Sequence, residues 1–468
     1  MALPPKPAAP GARTLSQPSS VALACFERGQ SLRRQGQSAE AVLCYQSALA
    51  LAPRALSLWS QVGEAFLALG LPRKAVFCYR FIAERAPRLS EAQACLGSAL
   101  RACGEFDEAV ACFRRALALK PASADAQNNL GLALRDLGRV EEAMACYRAA
   151  MALEPEHIDA RWNLGLAQLL TGDFLEGWRN YEMRWQREDA PCRFAEPLWR
   201  GQPLHGARIL LHAEQGLGDN LQFLRFVPQV EAAGGRVILG LPPRQRALAA
   251  GLVGLSHVEF VTLPPQPFDW HCPLMSLPLA LGTTLATLPA HAPYLTVPVE
   301  ARQRTAALDW PTQGLRVGLV WSGTPEHPQN RFRAVPLALL EPLWALDNVR
   351  FFSLQMGPPA AELAAGQRPI VDLAPVTHAM EDTAAQMLEL DLILAVDTMV
   401  AHLAGALGRP VWLLLAANHD WRWMREREDS PWYPTMRLFR QPKMGDWRSV
   451  VARVRKELIV LAKNRAER

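Results

Sequence analysis

The sequence predicts two fold classes joined end to end, α followed by α/β: a solenoid of short helical repeats, then two doubly wound, Rossmann-like parallel-sheet domains. Three observations predict it. Glycine, proline and aromatic residues recur every 34 residues through the first part. After Gly206 the texture changes to short apolar runs alternating with helical patterns, as buried parallel strands and their crossover helices do. Those runs form two series around a Pro-rich stretch, Pro289 to Pro311, which would serve as hinge and linker between two sheets.

The repeats are the plainest signal. Gly29, Gly63, Gly97, Gly131 and Gly165 share one position, and Gly36, Gly70, Gly104, Gly138 and Gly172 another. Pro53, Pro87, Pro121 and Pro155 mark a third, and Tyr45, Tyr79, Phe113 and Tyr147 a fourth. A two-helix unit of this length is the tetratricopeptide signature. The first glycine lets the two helices of a unit approach. The second suits a left-handed turn between them. The aromatic, with an alanine four residues before it (Ala41, Ala75, Ala109, Ala143), fills the seam, and the proline ends the unit. Four full repeats and a variant fifth are expected. In that fifth, Phe174, Trp178, Tyr181 and Trp185 line one helix face, more as packing for a cap against the next domain than as a ligand platform. The solenoid's concave face is expected to bind a partner or extended peptide. Asn129 and Asn163 occupy one helix position, with Gln61 before them. They either clamp a peptide backbone as paired donors and acceptors or merely repeat a common Asn-Leu-Gly helix.

Composition narrows the class. Half the residues are apolar, a fifth are charged and the net charge is only +5, which leaves no nucleic-acid footprint. Of nine cysteines, Cys44, Cys78, Cys112 and Cys146 are one repeat position, and no CxxC pair exists. Buried thiols in a cytoplasmic protein are expected, not a disulfide framework or a zinc site. No apolar run is long enough for a transmembrane segment, and residues 1–20 read as a disordered leader rather than a signal peptide. The expected division is leader 1–20, repeats 21–187, linker 188–205, a first Rossmann-like domain over 206–300 and a second over 312–468.

In the α/β part, strands are expected at Ala207–Ala213, Arg236–Gly240, Leu315–Trp321, Val349–Leu354, Asp391–Val396 and Pro410–Leu415, with helices opening after Gly216, at Pro336 and at Thr398. Gly216-Leu-Gly218-Asp219 follows a strand, but Leu221 stands where a dinucleotide fingerprint needs its third glycine, so hydride transfer is disfavoured. Asp219 is either a first-turn acid of that helix or a functional carboxylate. Ser322 and Gly323 permit close approach of a phosphate, and Arg331 and Arg333 can fork a diphosphate. Asp397 and Thr398 open a helix whose free N–H groups form an anion site, with His402 one turn on. Taken singly, Asp397 could be a cap and His402 a core histidine. Together these elements converge on one cleft. Trp421, Trp423 and Trp432 either stack a base or pack the domain.

At these residues the sequence resembles the lipopolysaccharide heptosyltransferase family (glycosyltransferase family 9), in its form fused to tetratricopeptide repeats. The resemblance spans roughly Gly206 to Leu461. It rests on Gln-Gly-Leu-Gly-Asp-Asn-Leu-Gln-Phe at 215–223, His-Cys-Pro-Leu-Met-Ser-Leu-Pro at 271–278 and Val-Gly-Leu-Val-Trp-Ser-Gly at 317–323. Asp-Thr-Met-Val-Ala-His-Leu-Ala-Gly-Ala-Leu-Gly at 397–408, and Asp-Trp-Arg-Trp with Ser-Pro-Trp-Tyr-Pro within 420–434, complete it. The resemblance implies a GT-B fold and inverting, metal-independent sugar transfer from a nucleoside-diphosphate sugar, with no cofactor. By position it implies Asp219 as general base, Arg333 in place of a phosphate-binding lysine, Asp397 and Thr398 as donor contacts followed by His402, and Gln355 near the ribose. Gln355 replaces a commonly acidic residue and Met399 a glycine, which leaves nucleotide and sugar open. The absence of any Asp-x-Asp pair fits leaving-group charge falling on Arg333, helix N–H groups and His402. The expected function is a glycosyltransferase acting on a protein or surface-glycan acceptor. The alternative is an inactive transferase-like scaffold for protein partners.

Overall fold

The computed structural model describes residues 17–187, 194–261, 266–327, 329–364, 366 and 368–466. It forms two compact units, Met1–Ala160 and Arg161–Arg468. Most of the expected leader, residues 1–16, lies outside the described residues; Ser20 already begins a helix, capped by the Ser19 hydroxyl, which accepts from the Ala22 N–H at 3.2 Å.

The first unit is a stack of helix pairs: α1 (Ser20–Arg34) with α2 (Ser38–Leu51), α3 (Leu56–Ala68) with α4 (Pro72–Arg85), α5 (Ser90–Cys103) with α6 (Phe106–Leu119), and α7 (Ala124–Asp136) with α8 (Val140–Leu153). The periodic residues do what their spacing predicts. A Cβ on Gly29, Gly63, Gly97 or Gly131 would lie 2.5–2.9 Å from the ring of Tyr45, Tyr79, Phe113 or Tyr147, so a bare backbone is what admits each buried aromatic. The turn glycines at 36, 70, 104 and 138 all have positive φ, between 70° and 85°, which a side chain would resist. All described cysteines are free, and burial pushes the Cys78 thiol up to about 12.

A fifth pair, α9 (Ile158–Thr171) and α10 (Phe174–Tyr181), runs into the second unit, and a 3-10 turn, Glu182–Gln186, follows. Here the close-approach glycine meets main chain: a Cβ on Gly165 would sit 2.8 Å from Tyr181 N and 2.9 Å from Asn180 C. Backbone cannot step aside as a ring can. Gly165→Ala should therefore cost about 1–3 kcal/mol, read as a lowered urea midpoint of the full chain.

The second unit holds two all-parallel sheets. The first contains β1 (Arg208–His212), β2 (Arg236–Gly240), β3 (Glu259–Phe260) and β4 (Trp270–Pro273), in the order β3-β2-β1-β4. The second contains β5 (Leu315–Val320), β6 (Val349–Ser353), β7 (Ile370–Asp372), β8 (Leu392–Val396), β9 (Val411–Leu415) and β10 (Met436–Arg440), in the order β10-β9-β8-β5-β6-β7. The predicted parallel sheets are present. The core of the second is largely aliphatic: Val317, Leu319, Leu392, Leu394 and Val396 cluster with Leu337, Leu340, Val450 and Val454 from covering helical segments.

Three expectations need correction. The helix expected at Pro336 is a 3-10 segment, Leu337–Leu343, because Pro342 lies inside it and withholds an N–H. The Pro-rich stretch 289–311 is no free linker. It carries a helix, Val299–Ala306, whose Arg304 pairs with Asp382 at 2.6 Å, and it buries Tyr294. Within the expected linker, 188–193 lies outside the described residues, while the remainder packs on the first sheet: Leu198 bridges His271 and the Trp199 N–H donates to the His271 carbonyl at 2.8 Å.

Candidate functional site

In each sheet the order of strand addition reverses between two neighbouring parallel strands, β1 and β4 in the first, β5 and β8 in the second. Loops leaving the carboxyl ends of such strands diverge, opening the crevice where parallel sheets bind ligands. The predicted residues lie on those loops. Gln215 to Asp219 follows β1, Trp321 to Gly323 follows β5, and Asp397-Thr398 follows β8. All belong to the second unit.

Asp219 sits at the third position of the helix Leu217–Phe223, and its two oxygens do different work. Oδ2 accepts from the Gly216 N–H at 2.8 Å, the capping role its position suggests. Oδ1 accepts from Arg422 Nη2 at 2.6 Å. The two readings of this residue are therefore not exclusive. Asn220 and the buried Gln245 steady the helix start: Asn220 Nδ2 donates to Gln245 Oε1 at 2.8 Å and Gln245 Nε2 to the Leu217 carbonyl at 2.9 Å.

Arg422 is fully engaged. Beside Asp219, its Nη1 donates to Asp420 Oδ1 at 2.8 Å and its Nε to Gln222 Oε1 at 2.6 Å. Arg422, from the loop after β9, thus meets the Asp219 carboxylate directly. Burial still raises the Asp219 pKa, with Arg422 opposing that rise. Arg333 is within electrostatic reach of the same group of charges: burial and then Arg333 lower the His327 pKa, against the pull of Asp219 and Asp420.

The loop after β5 is tightly built. The Gly323 N–H donates to Asn330 Oδ1 at 2.9 Å, and Asn330 Nδ2 donates to Ser322 Oγ at 3.1 Å. A Cβ on Gly323 would lie 2.9 Å from Arg333 Nη2, so the guanidinium rests against bare backbone. Arg333 forms no ion pair among the described residues, and its buried Nε has no hydrogen-bond partner. Arg331 differs: it is exposed, its guanidinium 4.6 Å from the Phe332 ring centroid.

Gln355, expected near the ribose, is held between the loop after β5 and its own. Its Oε1 accepts from the Ser322 and Trp321 N–H groups at 2.9 and 3.2 Å, and its Nε2 donates to the Met356 carbonyl at 3.0 Å. Buried and engaged at both ends, it shapes the loop. His402 is corrected as a source of positive charge. It is buried, Nδ1 lies 3.0 Å from the Tyr433 hydroxyl, and its ring stacks on Trp423. Burial and then Arg422 hold it neutral, well below the usual histidine range. Trp421, Trp423 and Trp432 are buried packing residues.

Asp397 and Thr398 do open the helix Met399–Ala406, with Thr398 at its N-cap. A Cβ on Gly218 would stand 2.9 Å from His402 Cδ2 and 3.3 Å from Met399 Cα, so the Asp219 loop lies directly on this helix start. Burial and Asp420 raise the Asp397 pKa to about 6, against the pull of Trp423, Arg333 and Arg422. Of the two solenoid amides, Asn129 is half-buried in the first unit; Asn163, in the second, is only 3% exposed and has little surface for a peptide. Among the described residues no three of His, Cys, Asp and Glu converge as a metal cluster, and no helix is long and apolar enough to cross a membrane.

Sequence reasoning missed Arg422, Asp420, Asn330, Gln222 and Gln245. Arg422 and Asp420 lay inside a motif already in view, where the tryptophans drew attention. Gln222 also lay inside such a motif, at 215–223, while Asn330 and Gln245 sit in ordinary helices and carry no local signal.

Comparison with known proteins supports the repeats. Tetratricopeptide-repeat family models match residues 22–55, 97–135 and 131–172, so the N-terminal region carries these repeats, an architecture that binds protein partners. The chain is 28% identical over 319 residues to Protein FlbA of Caulobacter vibrioides, an alignment covering 61% of this chain and 52% of that protein. It therefore spans about half the length of the curated relative it matches. Among solved structures it is similar to MamA (26% identity, 34% of this chain and 94% of that one, TM-score 0.30) and to a thermophilic tetratricopeptide protein of Thermus thermophilus (22%, 36% and 91%, TM-score 0.31).

Proposed function

We propose that the second unit is an inverting, metal-independent glycosyltransferase of GT-B type, working in the cytoplasm on a protein or surface-glycan acceptor that the repeats present. The observation that carries this reading is Arg333. A guanidinium held against the bare backbone of Gly323, in no ion pair among the described residues and with a buried Nε unpartnered there, has unused capacity for an anion. The start of the helix Met399–Ala406 adds N–H groups and the positive end of a dipole. A diphosphate bridging the two would leave a sugar facing Asp219, whose raised pKa suits proton abstraction from an acceptor hydroxyl. Isothermal calorimetry with UDP-, GDP- and ADP-sugars tests the donor site, and mass spectrometry of acceptor products tests transfer. No binding across the panel would sink the enzyme reading.

Two features favour the scaffold alternative: Asp219 is already paired to Arg422, and Gln355 is buried and hydrogen-bonded within the chain at both ends. A scaffold would bind none of the panel while retaining partner binding by its repeats.

Asp397 adds a pH signature. An anionic donor beside it disfavours its ionised form, so binding takes up a proton, and affinity must rise as pH falls through about 6. Nucleotide-sugar affinity should strengthen several-fold between about pH 7.5 and 5.5. Asp397→Asn should flatten most of that dependence in the same calorimetric series.

A further inference from the structure

The Asp219–Arg422 pair joins two loops from different sheets, and neither loop is held by its own sheet alone. The loop bearing Asp219 begins at Gln215, whose Nε2 donates to the Tyr181 hydroxyl at 3.1 Å. The loop bearing Arg422 is seated on Trp421, with the guanidinium 4.4 Å from that ring centroid. Trp421 packs edge-on against Trp178, centroids 5.3 Å apart, and against Tyr181 at 6.3 Å. Trp178 also meets Phe223, at the end of the Asp219 helix, at 6.2 Å. One short helix, α10, therefore touches both ends of the ion pair.

That helix is itself anchored. Immediately after it, buried Arg184 donates to both oxygens of Glu214 at 2.7 and 2.9 Å and to Ser276 Oγ at 2.7 Å, and it pairs with Glu182. Glu214 directly precedes Gln215 in the chain. Such a buried, well-satisfied network fixes geometry more than it adds stability.

We propose that α10 is a brace for the charged cluster, with Tyr181 and Trp178 as positioning residues that hold the Asp219 loop and the Arg422 loop at hydrogen-bonding distance. Assigning a catalytic consequence to the brace rests on the glycosyltransferase reading; the brace itself does not. The groups facing Asp219 are Arg422, Asp420, His327 and the Gly216 N–H, and the brace sets the first of these. The variant fifth repeat is then a working part of the α/β unit, and its aromatic stripe has a task beyond capping.

The test uses the full chain with two variants. Tyr181→Phe keeps the ring against Trp421 and removes the hydroxyl's bonds to Gln215, together with its long contact to Met275 Sδ at 4.0 Å. Trp178→Ala removes the aromatic support. Hydrogen exchange followed by mass spectrometry should show faster exchange in both peptides, 215–223 and 420–424, for Trp178→Ala, and chiefly in 215–223 for Tyr181→Phe. Unchanged exchange in the 420–424 peptide of Trp178→Ala, with the chain still folded, would overturn the brace. If the panel of nucleotide sugars binds, Tyr181→Phe should lower kcat about tenfold and move the acid limb of the pH–rate profile to higher pH. Donor Kd should stay within about twofold. A loss confined to Kd, or an unmoved profile, would refute the positioning role. If no nucleotide sugar binds the parent chain, the transferase reading fails, while the exchange data still decide the brace.

Discussion

Asp219→Asn should reduce sugar transfer by a factor of about 10²–10⁴, the usual contribution of a general base, while donor affinity changes by no more than a few-fold. The substitution preserves size and leaves an amide oxygen for the Gly216 N–H, so the helix start survives. What it removes is the proton acceptor and one of the two carboxylates on Arg422. Asp420 still compensates that cation, which should hold the stability loss below the ~3–5 kcal/mol typical of a broken buried pair. In the parent chain, activity should fall as pH drops through the raised pKa of Asp219, because the protonated acid cannot abstract a proton. Single-turnover rates with a saturating donor, compared with calorimetric affinities, separate the two effects. Parent-like turnover in the variant would remove Asp219 from the chemistry.

Arg333→Ala should act on the other quantity. A guanidinium forked to a diphosphate contributes charge-assisted hydrogen bonds worth about 1.5–3 kcal/mol each, so donor Kd should rise at least ten- to a hundredfold. Folding should be nearly indifferent, since among the described residues Arg333 makes no ion pair and its Nε has no partner. Arg331→Ala, from the exposed surface over Phe332, provides the contrast and should leave Kd unchanged. A donor Kd insensitive to Arg333 would move the anion site elsewhere.

The two halves of the chain differ in how much was legible beforehand. In the solenoid each mark in the sequence acts within its own unit: Gly131 and Tyr147 meet sixteen positions apart, and Gly138 turns the chain between them. A periodic sequence repeats such local meetings, so they can be read without the fold. The central strands were legible too, as unbroken apolar runs. β3, β4, β7 and β10 were not, because they are short edge strands or are bounded by proline and charge. The loops carrying Asp219, Gly323 and Asp397 were visible by their place after strands. Their partners were not. Arg422 lies over two hundred positions beyond Asp219 and reaches it only because the loop after β9 meets the helix that follows β1.

Short-range periodicity alone is enough for the repeat solenoid, the parallel α/β architecture and the strand ends where chemistry-bearing residues gather. Which charges pair is a property of the folded molecule. Folding brings Asp219 to Arg422, leaves Arg333 without an ion pair among the described residues, and draws Gln355 and His402 into the packing. The reason is physical: burial and electrostatic pairing depend on distances between segments far apart in the chain, and residue type sets none of those distances.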